Sequence, residues 1–169
     1  LVGSEMCIRD RDSYYQRYQP PPPGQNYQYP KSAYGVLSWW DYGYWISRIA
    51  HRFPNTNPSQ EPGPIIDAAN FFLSQSEDLA EPLIQKLDSA YIIIDDTLVT
   101  GKLWAIAKWA GKDQSQFYEL YYAPKGNQLI PVVLYYPTYY RSLIVRMYNF
   151  DGKVVVSDNT TVISFEERT

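Results

Sequence analysis

The chain has 169 residues, 45% of them hydrophobic and 17% aromatic, which is enough for one domain with a hydrophobic core. Its formal net charge of −3, without a block of lysine or arginine, gives no basic surface of the kind that nucleic-acid binding needs. Seventeen tyrosines beside one cysteine argue against a disulfide scaffold, and no apolar run approaches the roughly 18–20 residues of a membrane-spanning helix.

The first 33 residues are predicted to lie outside the packed domain. Residues 1–11 end in a stretch, from Met6 to Arg11, that looks like the translated end of a transposon adapter used for sequencing libraries. We therefore interpret residues 1–11 as non-native. Residues 12–33 carry four consecutive prolines among tyrosines and glutamines, which favours an extended lead-in. The abrupt start indicates a fragment of a longer protein.

A first helix is predicted to begin at residues 39–41 and to end by His51, because Phe53-Pro54 cannot continue it. Residues 55–63 are predicted to form a loop. In one of the two interpretations of this stretch given below, four side chains at helical spacing face the core: Tyr42, Trp45, Ile46 and Ile49.

Two further segments before residue 90 have helical features. Residues 65–74 show mixed helical spacing, and Ser76 is predicted to cap a helix that runs to about Asp88. Pro82 leaves open a shorter helix that starts at residue 81.

The second half of the chain alternates between predicted strands and helices. Residues 91–94 form a short apolar run that is typical of a buried strand, and a helix is predicted over residues 97–110, ended by Gly111. Residues 117–123 and 129–135 flank a turn-forming group and predict a β-hairpin.

The C-terminal part is predicted to start with a helix and to end in strands. Pro137 opens a helix over residues 138–148, Asp151-Gly152 forms a turn, and residues 153–156 and 161–165 are predicted strands. The helix is predicted to have one apolar face, made of Tyr140, Leu143, Ile144 and Met147.

The predicted fold class is α+β. A mainly helical core domain spans residues 34–150 and is followed by the start of a smaller β portion over residues 151–169. No internal repeat is visible.

The stretch from Ser38 to Trp45 needs an explanation, because three of the five tryptophans lie within seven residues around Asp41. One interpretation is a helix N-terminus with an aromatic core face and Asp41 in the first turn. The other is a recognition pocket, in which indole N–H groups donate, a carboxylate accepts, and together they bind a small hydroxyl group. The residues alone leave both interpretations open.

The other candidate functional residues and motifs in the sequence give weaker signals of function. His51 is the only histidine and lacks the spacing of a zinc site, and no phosphate loop or nucleophile elbow occurs. Asp95, Leu98 and Lys102 share one face of a predicted helix, which a solvated helix face would also do. Residues 159–161 match the N-glycosylation acceptor pattern.

The signature Trp39-Trp40-Asp41-Tyr42-Gly43 resembles that of the catalytic subunit of oligosaccharyltransferases, most closely the archaeal enzymes. The similarity extends from about residue 13 onward. It includes residues 33–38, 44–46, 57–58, 91–95, 102–106, 139–140, 146–148 and 151–152.

This resemblance implies a membrane enzyme that moves a glycan from a polyprenyl (dolichyl) phosphate or pyrophosphate carrier to the asparagine of Asn-X-Ser/Thr. It also implies that the present domain lies outside the cytoplasm, with the lead-in coming from a missing multi-pass transmembrane region. By resemblance, Trp39, Trp40 and Asp41 bind the hydroxyl of the serine or threonine. A sequon without that hydroxyl leaves polar groups unpaired, at a cost of about 1–3 kcal/mol.

A second family motif is expected on a kinked helix behind the pocket. Asp95, Leu98 and Lys102 match its spacing, although Leu98 stands where the motif has methionine. The resemblance places the catalytic carboxylates, the divalent cation (Mn²⁺ or Mg²⁺) and the site for the lipid-linked oligosaccharide in the transmembrane half. The fragment alone is therefore expected to be inactive, with no catalytic or metal-binding residue of its own.

The alternative is a non-catalytic extracellular module in which exposed aromatic side chains stack on sugar rings. The abundance of tyrosine and tryptophan suggests this class. Such a module keeps its aromatics on an exposed platform and needs no upstream membrane region, which distinguishes it from the transferase.

Overall fold

The computed structural model describes residues 22–25, 34–50, 52–156 and 162–166. They form an α+β fold, as predicted, with a three-stranded parallel sheet and a two-stranded antiparallel hairpin. The strands are β1 (Gly35–Leu37), β2 (Phe53–Pro54), β3 (Ser89–Ile92), β4 (Tyr118–Lys125) and β5 (Gln128–Tyr135). The α-helices are α1 (Gly43–Arg48), α2 (Pro62–Phe72), α3 (Glu77–Lys86), α4 (Asp96–Thr100), α5 (Leu103–Trp109), α6 (Pro137–Arg141) and α7 (Leu143–Asn149).

The parallel sheet has the order β2-β1-β3, with the buried strand β1 in the centre. Leu37 of β1 pairs with Ile92 of β3, and the Ile93 N–H donates to the Leu37 carbonyl at 2.8 Å. Because parallel strands point the same way, β1 and β3 end at the same edge of the sheet. The chain segments that follow them are therefore neighbours in space.

Strand β3 differs from its prediction in position and burial. It begins two residues before the predicted strand at residue 91, and its apolar side chains are largely exposed. Tyr91, Ile92 and Ile93 are 47%, 36% and 45% exposed. The prediction of a buried strand was wrong because β3 lies at the edge of the sheet.

Helix α1 confirms a helix after the tryptophan pair, but its inward face was predicted wrongly. Ile46 is buried, whereas Trp45 is 64% and Ile49 70% exposed. The helix is oriented by Gly43, which packs directly against the backbone of Thr56. Trp45 and Ile49 therefore lie on the opposite side from the core.

Helices α2 and α3 supply much of the hydrophobic core. The helix predicted around residues 65–74 begins earlier, at Pro62, where proline fits a first helical turn. Helix α3 follows Ser76 as predicted, although the Ser76 side chain makes no capping hydrogen bond. Pro82 lies inside the helix rather than at the start of a shorter one. The core cluster joins α2 to β1 and to the later helices through buried Leu37, Trp39, Ile65, Phe72, Leu98, Leu103, Ile106, Phe117 and Ile144, among others.

The two longer helices predicted in the second half are each broken. The segment predicted as one helix over residues 97–110 forms α4 and α5, and the N–H groups of Gly101 and Lys102 both donate to the Thr97 carbonyl at 2.9 Å. The helix predicted over residues 138–148 forms α6 and α7, separated by Ser142 in an extended conformation.

The predicted hairpin is confirmed. Strands β4 and β5 pair from Tyr118 with Tyr135 to Lys125 with Gln128. Gly126 has a φ of +61° in the connecting turn, where glycine avoids the strain of a side chain. Phe117, fully buried just before β4, anchors the hairpin to the core.

The end of the chain is less regular than predicted. The turn at Asp151-Gly152 is confirmed, and the buried Arg146 donates to the carbonyls of Gly152 and Lys153. The predicted strands are wrong in their described parts, since residues 153–156 and 162–166 form no strand. Among the described residues, neither segment is paired with another strand. The division into a helical domain and a β portion stays a prediction.

Most of the N-terminal lead-in lies outside the described residues, as do His51 and the acceptor pattern at residues 159–161. Residues 22–25 form a turn rather than an extended segment, with the Gln25 N–H donating to the Pro22 carbonyl at 3.1 Å. Across the described ranges, no helix is both long enough and apolar enough to cross a membrane.

Candidate functional site

The signature begins directly after β1 and is fixed there by two buried hydroxyl groups. Ser38 Oγ donates to the Ile93 carbonyl at 2.8 Å, and Thr56 Oγ1 donates to the Ser38 carbonyl at 2.7 Å. Both side chains are nearly inaccessible to solvent. Because Ser38 is hydrogen-bonded on two sides, the following residues leave the sheet in one defined direction, as a 3₁₀ turn over Trp40–Tyr42.

Gly43 allows the next segment to pack closely. A Cβ atom at this position would lie 2.4 Å from the Thr56 carbonyl oxygen and 2.5 Å from Asn57 Cα. These are backbone atoms that cannot rotate away, so no larger residue fits without moving the chain. The glycine therefore brings the signature against the loop that follows β2.

Tyr42 and Asp95 connect the signature to the second motif. The Tyr42 hydroxyl donates to Asp95 Oδ2 at 2.6 Å, and Asp95 Oδ1 accepts from the Leu98 N–H at 3.0 Å as the cap of α4. Burial, together with this hydrogen bond to a carboxylate, raises the pKa of Tyr42 to about 12. Tyr42 therefore stays protonated and donating at neutral pH.

Lys102 makes the second connection. Its Nζ atom forms an ion pair with Asp41 Oδ2, and both side chains are partly buried. Lys102 stands where α4 ends and α5 begins, while Leu98, one turn before the break, is fully buried in the core. The break between the two helices thus presents Lys102 to the signature while Leu98 anchors α4.

Two polar atoms at the centre of the site have no partner. Within the described part of the chain, Trp40 Nε1 and Asp41 Oδ1 are buried and make no hydrogen bond. An unsatisfied buried polar atom costs about 1–3 kcal/mol, so such atoms need a reason. One is a donor and the other an acceptor on adjacent residues, which is the complement of a hydroxyl group.

The structure brings together five of the six residues singled out from the sequence: Trp40, Asp41, Asp95, Leu98 and Lys102. The sixth, Trp39, is 1% exposed and lies in the core, with its ring 6.4 Å from that of Trp40. Its predicted contact with a substrate hydroxyl stays a prediction.

Sequence reasoning missed the supporting residues. Tyr42 was assigned only to a core face, and Ser38, Gly43 and Thr56 received no individual roles. Gly43 carried a signal, since glycine within an aromatic run indicates a close backbone approach. Thr56 carried none, because its contact depends on a fold that the sequence does not display.

The described ranges contain no group of three or more histidine, cysteine, aspartate or glutamate side chains that would bind a metal ion. The described residues therefore do not fit a divalent-cation centre. The expectation that the cation binds elsewhere in a longer protein stays a prediction.

The family model for the AglB core domain (AglB core-like) matches residues 21–99, which include the signature and the start of the second motif. The chain is 33% identical, over 83% of its length, to dolichyl-phosphooligosaccharide-protein glycotransferase 3 of Archaeoglobus fulgidus. It is 31% identical, over 95% of its length, to dolichyl-monophosphooligosaccharide-protein glycotransferase AglB of Haloferax volcanii. It spans only 19% and 16% of these relatives.

Solved structures of an Archaeoglobus fulgidus oligosaccharyltransferase have a similar fold. One, tethered to an acceptor peptide containing the Asn-Val-Thr (NVT) sequon, is 27% identical with a TM-score of 0.67, over 87% of this chain and 21% of that one. A second structure, in complex with Zn and sulfate, is 29% identical with a TM-score of 0.64, over 83% of this chain and 21% of that one. A third, in complex with an inhibitory peptide and a dolichol-phosphate, is 30% identical with a TM-score of 0.62, over 83% of this chain and 19% of that one.

The curated relatives are glycotransferases by name, and the similar structures are archaeal oligosaccharyltransferases. Family model, relatives and structures agree with one another and with the signature at residues 39–43. The chain is a member of the archaeal oligosaccharyltransferase AglB family and corresponds to the C-terminal part that carries the signature.

Proposed function

We propose that this chain is the acceptor-recognition part of an oligosaccharyltransferase that transfers a glycan from a dolichyl phosphate or pyrophosphate carrier to asparagine in Asn-X-Ser/Thr. The observation that carries the proposal is the unpaired donor and acceptor at Trp40 Nε1 and Asp41 Oδ1. The hydroxyl of serine or threonine would accept from the indole and donate to the carboxylate.

The ion pair with Lys102 supports this assignment because it uses only one of the two carboxylate oxygens of Asp41. The ion pair occupies Oδ2, which leaves Oδ1 for a ligand. A hydrogen bond to a charged acceptor contributes about 1.5–3 kcal/mol, more than a neutral one. A sequon with valine in place of threonine keeps the shape but leaves both atoms unpaired, so it binds less well.

The remaining parts of the reaction are assigned to the rest of the longer protein. The lipid-linked oligosaccharide, the catalytic groups and a divalent cation, Mn²⁺ or Mg²⁺, bind there, and the fragment alone is inactive. The similar structures with dolichol-phosphate and with Zn and sulfate support a lipid and a metal site in this family. The protein is anchored in the cell membrane by several spans, with this domain on the extracytoplasmic side.

The structure offers little support for a carbohydrate-binding module built on the signature. Trp39 lies in the core, and the indole N–H of Trp40 is buried. Trp39 is therefore unavailable as an open platform for a sugar ring, and Trp40 is only partly exposed.

The proposal is tested by glycan transfer in the full-length protein, with Asn-Val-Thr and Asn-Val-Val peptides. We expect Asp41→Asn to reduce the preference for the threonine peptide about tenfold, because the charged acceptor becomes a neutral amide. Asp67→Asn is the matched control, since Asp67 is also a partly buried aspartate paired with a lysine, Lys86. Equal preference in the wild-type protein, or an unchanged preference in Asp41→Asn, would show that the site does not read the hydroxyl.

A further inference from the structure

An exposed apolar stripe runs along α1 away from the pocket. Trp45 is 64% exposed and Ile49, one turn later, is 70% exposed. The edge of the Trp45 ring packs against Tyr42, with centroids 5.8 Å apart and an interplanar angle of 69°. Tyr42 in turn is bound to Asp95, so the base of the stripe is held by the site itself.

The stripe is continuous with the proposed hydroxyl pocket. Trp45 and Ile49 are four residues apart and share one face of α1, where the Ile49 N–H donates to the Trp45 carbonyl at 2.8 Å. Asp41 lies in the 3₁₀ turn before α1 and is joined to this face through the next residue, Tyr42, whose ring contacts Trp45. Four residues of an α-helix advance the chain by about 6 Å, so Ile49 lies about that far beyond Trp45, which in turn follows the carboxylate residue by four positions.

An extended peptide has a matching repeat. Alternate side chains of an extended chain lie on the same side and are about 7 Å apart. A peptide whose hydroxyl residue sits at Asp41 would therefore place its second neighbour near Trp45 and its fourth near Ile49. The residue between each pair would point away from the stripe.

We propose that Trp45 and Ile49 form a subsite for apolar side chains at the second and fourth positions after the serine or threonine of the acceptor. This inference rests on the proposed function. The C-terminal direction follows from the sequon, because the second residue before the hydroxyl is the acceptor asparagine and must reach the catalytic groups instead. Trp45 and Ile49 are uncharged, so the preferred side chains are leucine, isoleucine or aromatic residues, while the exposed Arg48 lies beside the stripe.

The test uses the full-length protein and four Asn-Val-Thr peptides. One peptide has only glycine after the threonine. Each of the other three replaces a single glycine with leucine, at the first, second or fourth position after the threonine. We expect kcat/KM to rise about threefold to tenfold for leucine at the second or fourth position, as partial burial of one leucine implies. Leucine at the first position should give no gain.

Two variants separate the contacts. Trp45→Ala should abolish the gain from leucine at the second position while leaving the gain at the fourth, and Ile49→Ser should do the reverse. Ile49 is 70% exposed, so its variant keeps the experiment informative if Trp45→Ala fails to fold. Tyr122→Ala, which removes a 62% exposed aromatic ring from the hairpin, is the control and should keep both gains.

Three results would overturn the inference: no gain from leucine in the wild-type protein, a gain that does not depend on position, or an equal loss with all four peptides in Trp45→Ala. The last result would mean that α1 contacts a membrane or another part of the protein. Asn-Val-Val peptides distinguish this failure from failure of the proposed function. If the protein still prefers threonine peptides to valine peptides, the hydroxyl pocket is supported and only the apolar subsite is rejected.

Discussion

At the scale of single residues, Trp39 to Gly43 are consecutive but contribute in different ways. Trp39 packs in the core, while Trp40 and Asp41 each present a free polar atom. Tyr42 braces the neighbouring helix α4 through Asp95, and Gly43 lets the chain approach the loop after β2. The proposed binding site and its support thus lie in five consecutive positions, which explains why no ordinary helix pattern accounts for them.

The close approach at Gly43 gives a stability prediction. Gly43→Ala should lower the free energy of unfolding by more than about 2 kcal/mol, because its Cβ would overlap with backbone atoms of Thr56 and Asn57. Urea unfolding of the chain measures this. Gly63→Ala is the control, since nothing lies within 4 Å of its Cβ, and its effect should stay below about 1 kcal/mol. Equal effects of the two substitutions would contradict the account of Gly43.

Single residues also show where sequence reasoning failed. Helical spacing placed Trp45 and Ile49 in the core, but a short helix has several possible inward faces. Contact of Gly43 with a distant loop selects the face, and sequence periodicity carries no information about that contact. The sequence likewise did not show that Trp40 and Asp41 each have a buried polar atom without a partner. The combination of indole and carboxylate predicted a pocket for a hydroxyl group, and that stays a prediction.

At the scale of elements, the parallel pairing of β1 with β3 assembles the site. It places Ser38 beside Ile93, and hence the signature beside the helix that carries Asp95 and Lys102. The sequence predicted the hairpin, the helices of the first half and a strand close to β3, because those signals are local. It did not predict β1 or its pairing, because a three-residue strand has almost no local signal.

The helix break before α5 gives a second prediction, since it presents Lys102 to Asp41. Lys102→Met should leave the partly buried Asp41 carboxylate unpaired and lower the free energy of unfolding by about 1–3 kcal/mol. It should also reduce the preference for threonine peptides in the full-length protein, because Asp41 loses the contact that orients it.

Lys86→Met is the matched control for this prediction. Lys86 also pairs with an aspartate, Asp67, at 2.7 Å, but its side chain is 66% exposed, so the loss should be below about 1 kcal/mol. Urea unfolding of both variants gives the comparison. Similar losses in the two variants would mean that the Lys102 pair contributes no more than a surface ion pair.

At the scale of the whole molecule, the role proposed for the chain is acceptor recognition within a larger protein. It spans about a fifth of the curated relatives that it matches, and its described residues hold no candidate metal centre. The exposed face of α1 lies next to the pocket. We therefore expect the acceptor to be held by its hydroxyl residue and by the residues after it, while the reacting asparagine extends beyond this domain.

The central claim is that Trp40 Nε1 and Asp41 Oδ1 hold the sequon hydroxyl. The most direct measurement is a double-mutant cycle on the full-length protein, in which Trp40→Phe is combined with threonine-to-valine replacement in an Asn-Val-Thr peptide and Kd is measured for all four pairs. We predict a coupling of at least about 1 kcal/mol, because Trp40→Phe removes the N–H that only threonine uses. Trp40→Phe weakening both peptides by the same factor would contradict the account.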